Sequence, residues 1–93
     1  MEIETIAKKL RMSKEELIRE GIRKVVEERL YKVIGKINEI FAKYGIRSAE
    51  ELEKKIEISE VSEHPAREEL IDLEYLLEDK EFLLEVLRLV EKS

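Results

Sequence analysis

A chain of 93 residues is one domain, or one domain with a tail, and buries a modest core. It has no cysteine and a single histidine, which excludes disulfides, thiolate metal sites and any His/Cys cluster built within one chain. No apolar run approaches the ~20 residues of a membrane span and the N-terminus lacks a secretory apolar core, so no membrane association and a cytoplasmic location are expected. Charged residues make up 44% of the sequence, and Gly and Pro are scarce, which suits an ion-pair-laced helical protein of thermophilic character. The net charge of -5 is unevenly spread. Residues 1–47 hold 12 Lys/Arg against 8 Asp/Glu, and residues 48–93 hold 6 against 15. A basic front and an acidic rear suit partners of different surface charge, or reflect solvated helix faces with no further role.

Ile3, Ile6, Ala7 and Leu10 are spaced i, i+3, i+4, i+7, which predicts a short helix. The alternation Glu2-Ile3-Glu4-Thr5-Ile6 also fits a strand, but the helical period continues through Leu10. Ser13 to Gly45 reads as one long helix. Ser13 and Glu16 form a capping box, and Gly45 stands where a left-handed C-cap glycine belongs. Ile22, Val26, Leu30, Val33, Ile37, Ile40 and Tyr44 step by three and four, the heptad rhythm of a helix laid along a partner helix. Ile18, Val25, Ile34 and Phe41 widen that stripe. At 1.5 Å per residue the helix runs roughly 45 Å, too long for a compact chain of this size. Pairing with a second copy is therefore expected, with the seven heptad residues as the dimer interface. Gly21 and Gly35 face nearly the same side, where either a second backbone approaches or the surface tolerates glycine.

Ser48 to Leu52 repeats the Ser-x-x-Glu box and opens a short helix with Ala49, Leu52 and Ile56 on one face, folded back on the long helix as a hairpin. Ile58 to His64 has no helical period, and with Glu57 before it carries Ser59, Glu60, Ser62 and Glu63, which reads as an acidic linker, or a segment that orders only on binding, closed by Pro65. Beyond it, Ala66, Leu70, Leu73 and Leu77, joined by Ile71 and Leu76, mark an amphipathic helix. The rhythm breaks at Asp79-Lys80-Glu81 and resumes with Phe82, Leu83, Val86, Leu87 and Val90, so a separate last helix or a bend is expected there. The fold expected is all-α, a long central helix pairing in a helical dimer with short flanking helices and a C-terminal amphipathic helical tail. It divides into a helical dimerisation module at 1–57, an acidic linker at 58–64 and partner-binding helices at 65–93.

Catalysis by this chain alone is not expected, and neither a cofactor nor a metal is implied. His64 is the only imidazole and sits at a helix entry beside Pro65. The carboxylates Glu68, Glu69, Asp72 and Glu74 follow the spacing of a solvated helix face. Ile6-Ala7-x-x-Leu10-x-x-Ser13-x-x-x-Leu17 loosely resembles a helix-turn-helix, for which Lys8, Lys9, Arg11, Lys14, Arg19, Arg23 and Lys24 would contact phosphate. Against it, Arg11 stands where such turns keep a glycine, and Glu15, Glu16 and Glu20 place acid at the end meant to face DNA.

Leu17-Ile18-Arg19-Glu20-Gly21-Ile22-Arg23-Lys24-Val25-Val26-Glu27-Glu28-Arg29 resembles a helix common in small prokaryotic antitoxins of toxin–antitoxin operons. Phe41 to Leu52 is similar to the "KYGxxSxEEL" segment of archaeal antitoxin-like proteins, and Glu68 to Leu76 to their acidic C-terminal stretch. A ribbon-helix-helix module is not expected, because its strand would present Glu2 and Glu4 to phosphate. The resemblance implies a homodimer that can bind operator DNA through its N-terminal part. It also implies that the C-terminal part wraps and blocks a toxin, commonly a ribonuclease. Arg67, Leu70, Ile71, Leu73, Tyr75, Leu76 and Leu77 are the partner-binding residues this reading requires. The alternatives are a small helical transcriptional regulator and a purely structural helical homodimer.

Overall fold

The computed structural model describes residues 1–92 and is all-α: α1 (Ile3–Lys9), α2 (Lys14–Tyr44), α3 (Ala49–Glu57) and α4 (Glu63–Lys92), with no strand among the described residues. The ends of α2 follow from local chemistry. The Ser13 hydroxyl accepts from the Glu16 amide at 3.0 Å, and the Glu16 carboxylate accepts from the Ser13 amide at 3.2 Å. At the other end Gly45 takes φ +62°, which lets the Ile46 amide reach back to the Phe41 carbonyl at 2.9 Å. That left-handed conformation costs a residue with a Cβ some strain and glycine none, which suits Gly45 to this position. In α3 the Ser48 hydroxyl caps the Glu51 amide, while the Glu51 carboxylate accepts from the Arg47 amide at 2.6 Å.

The long helix does not stand alone. α4, 30 residues against the 31 of α2, runs back antiparallel along it, with Arg23 bonded to Glu91 near one end and Lys43 to Glu69 near the other. The heptad spacing of α2 specifies a partner helix but not the chain that supplies it, and here α4 of the same chain supplies it. Val26, Val33 and Ile37 are buried against Leu70, Leu73 and Leu83 in one core, which α3 closes at the turn end with Leu52 and Ile56. The result is a rod of 61 × 20 × 18 Å with a radius of gyration of 19.1 Å. A compact chain of this length would have about 12 Å. Two helices of equal length give a core one layer thick, and α1 adds the buried Ala7 against α2.

Two local expectations change. Of the expected linker 58–64, residues 58–62 form a tight turn and Glu63 and His64 already belong to α4. The Ile58, Ser59 and Glu60 amides bond back to carbonyls of α3, Ser59 takes φ +60°, and Lys55 holds Glu60 at 2.7 Å. The portions on either side of it share one hydrophobic core, from Val26 in α2 to Leu83 in α4. Asp79 starts no new helix: α4 continues through it, and its only non-helical residue is His64, before the cis Pro65. Three charged residues shift the apolar rhythm without breaking the backbone: Lys80 and Glu81 are good helix formers, and Asp79 costs only a fraction of a kcal/mol. As for the two mid-helix glycines, nothing lies within 4 Å of the Cβ position of either Gly21 or Gly35 within the chain.

Candidate functional site

The residues that sequence spacing marks for an interface divide sharply once α4 is in place. Of the α2 stripe, Val26, Val33 and Ile37 are buried, Leu30, Ile40 and Tyr44 are half-buried in the same core, and Ile22 alone stays exposed. Of the C-terminal set, Leu70 and Leu73 are buried and Leu76 and Leu77 are half-buried. Arg67, Ile71 and Tyr75 point away from the core.

Those outward residues belong to a second apolar row. Ile71, Tyr75, Phe82 and Leu89 follow one another by four, seven and seven residues, so they fall within about 40° of arc on one side of α4. Tyr75 is 69% exposed and Phe82 61%. The side that packs into the core carries Leu70, Leu73, Leu77 and Leu83. One helix thus has two apolar faces, one of which packs the hairpin while the other stands in water. Phe82 and Leu89 escape a reading that follows only the core stripe, although the heptad step that finds them is present in the sequence.

Beside this ridge, on one flank of the hairpin, a shallow groove runs between the helices. A stretch of about 500 Å³ is lined by Lys36, Glu39, Ile40, Asp72, Tyr75 and Leu76, among others. The next, about 260 Å³, is lined by Arg29, Lys32, Val33, Asp79, Phe82 and Leu83. At the open end Glu15, Ile18, Arg19, Ile22 and Val90 line about 290 Å³. The α2 side carries Arg29, Lys32 and Lys36 with Glu39 beside Lys36, and the α4 side carries Glu69, Asp72 and Asp79 without a basic residue.

The basic residues singled out for phosphate are partly committed elsewhere. Arg23 pairs with Glu20 and with Glu91, at 2.9 Å to the latter, and that hydrogen bond raises its pKa above the ordinary guanidinium value. Lys14 lies 3.9 Å from Glu4, and the half-buried Arg19 leaves its Nε covered and without a hydrogen-bond partner among the described residues. Lys8, Lys9 and Arg11 are exposed at the α1–α2 turn, where Arg11 takes φ +59°. Near the turn end of the hairpin, Glu69 accepts from Lys43 at 2.7 Å and from the Tyr44 hydroxyl. These two bonds hold its carboxyl below the usual carboxylate range, while burial and the Glu69 contact push Tyr44 up.

No group of three or more His, Asp or Glu placed to hold a metal occurs among the described residues, and His64 is exposed with Nδ1 2.8 Å from the Glu68 carboxylate. No helix is long and apolar enough to cross a membrane among the described residues. What the arrangement offers is an exposed apolar row along one side of α4 beside a shallow groove.

A family model described as the "Uncharacterized protein MJ0235 family" matches residues 1–93. A protein of Methanocaldococcus jannaschii, "Uncharacterized protein MJ0235", is 36% identical over 74 residues, which span 80% of this chain and 90% of that protein. No solved structure matches the chain.

Proposed function

The chain belongs to the MJ0235 family, and we propose that it acts by binding another protein rather than by catalysis, as an antitoxin-like module of the cytoplasm. The observation that carries this reading is the doubled apolar character of α4. An exposed row of Ile71, Tyr75, Phe82 and Leu89 on a charged surface is costly to keep in water unless a partner covers it. A helix that presents anchors at heptad spacing is suited to a hydrophobic groove on a partner. Arg67, beside Ile71 on the same helix, and the acidic residues around Tyr75 would set orientation at the rim. A ribonuclease toxin with a basic RNA-binding cleft offers the complementary charge. The exposed Lys8, Lys9 and Arg11 at the α1–α2 end are the groups of this module that would engage operator DNA.

Co-expression with the products of neighbouring open reading frames tests the proposal. A complex is expected to co-purify, and growth inhibited by the partner to recover. Ile71→Asp with Tyr75→Asp should weaken that complex by roughly 30-fold or more, since truncated aromatic anchors typically cost at least ~2 kcal/mol. Helical content should not change, because both side chains are exposed. Loss of neither capture nor rescue in the double variant would remove the ridge from the proposal, and absence of any complex would remove the proposal itself.

A further inference from the structure

The flank groove carries charges that the chain itself leaves unused. Arg29 and Lys36 on its α2 rim, and Asp72 and Asp79 on its α4 rim, form no ion pair among the described residues. Each basic residue shares a stretch of groove with an acidic one: Lys36 with Asp72, and Arg29 with Asp79. Apolar groups fill the space between the rims, namely Ile18 and Ile22 at the open end and Leu76, Leu83 and Phe82 further along.

We propose that a second copy of this chain closes the groove, related by a two-fold axis parallel to the hairpin, to form an antiparallel four-helix bundle. The charge pattern selects this axis. A rotation about the long direction keeps every residue at its own height and exchanges left with right. Each acidic α4 rim then lies over the other copy's basic α2 rim, with Asp79 level with Arg29 and Lys32, and Asp72 level with Lys36. An axis across the hairpin would set basic rim on basic rim, which like-charge repulsion disfavours. With the parallel axis every neighbouring helix pair is antiparallel, the arrangement of up-down bundles, and the interface is isologous and closed.

Size agrees with this occupant. A face 30 residues long and the 20 Å width of the rod covers on the order of 900 Å² per copy, against about 800 Å² in a standard interface. The groove takes in Tyr75 and Phe82 of the outer row, so a second copy and a different protein would compete for those two residues.

Crossed charge reversal reads the arrangement. Light scattering on the full chain at tens of micromolar, roughly where a specific dimer is populated, should give twice 11.0 kDa. Arg29→Glu with Lys36→Glu should weaken self-association by roughly 100-fold, and Asp72→Lys with Asp79→Lys likewise. An equimolar mixture of the two variants should recover the doubled mass, because each acidic rim again meets a basic one. A wild-type mass of 11.0 kDa at all concentrations, charge variants that dimerise like the wild type, or a mixture that stays monomeric would each overturn the proposal. Should a reversed variant fail to fold, single-cysteine chains supply the second measurement, since the protein has no cysteine of its own. Lys32→Cys and Asp79→Cys chains should form a disulfide when mixed and neither should do so alone. Cross-linking of each variant to itself with none between them would contradict the axis.

Discussion

Leu73→Ala is expected to lower the unfolding free energy by about 3–4 kcal/mol, and with it the melting temperature by roughly 12–32 °C, read by far-ultraviolet circular dichroism at fixed protein concentration. Leu73 is 0% exposed and belongs to the core shared by α2, α3 and α4. Removing its isobutyl group loses the transfer energy of those atoms and leaves a cavity that three helices would have to collapse to fill. The rod is one layer thick, so no deeper core compensates. Ile71→Ala, two positions away on the outer ridge, should change stability by less than about 0.5 kcal/mol in the same assay. Equal losses at the two sites would mean that α4 is not oriented as described.

Glu69→Ala is expected to cost about 1–2 kcal/mol at neutral pH, discounted for water because Lys43 is 52% exposed in that pair. The carboxylate receives two hydrogen bonds from neighbouring residues of α2, and its removal leaves the half-buried Tyr44 hydroxyl without its acceptor. The pH dependence has a definite sign. The folded carboxyl is held below its ordinary value of 4.5, chiefly by Lys43 and then by Tyr44, so the unfolded chain binds the proton first as pH falls. The contribution is complete above about pH 4.5 and is lost as pH drops through the lower folded value. The gap in stability between wild type and Glu69→Ala should therefore shrink below that pH, measured by urea unfolding across an acid series. A gap constant from neutral pH into strong acid would show that the two hydrogen bonds do not depend on the charge.

The helices themselves were readable from residues because their signals are local. The Ser13–Glu16 box, Gly45, and Ser48 with Glu51 all act over four residues or fewer, and the structure places them at helix ends. The heptad on α2 was readable too, but a heptad carries no label for the chain that fills it. The hairpin depends on α4 matching α2 in length, and residues 58–63 hide that match by looking like a linker. Their acidity reflects solvent exposure, while backbone bonds to α3 and the left-handed Ser59 make the reversal. The outer ridge was half legible. Ile71 and Tyr75 stood out beside core leucines, but Phe82 and Leu89 are separated from them by the charged stretch Glu78 to Glu81. Two interleaved apolar rows on one helix read as a single wide stripe until a neighbour shows which row is covered. The groove rims were illegible for a different reason: charge complementarity between α2 and α4 has meaning only once the antiparallel register sets Arg29 level with Asp79.

α4 displays its second face only when it is folded along α2 within the free protein. Amide hydrogen exchange on the isolated chain tests this most directly. The core-facing stretch from Ala66 to Val90 should exchange as slowly as Val26 to Ile37, with rates rising together as denaturant is added, because the two helices share one core. Fast exchange throughout residues 66–90 while α2 stays protected would contradict it, and would make α4 a tail that orders only on its partner.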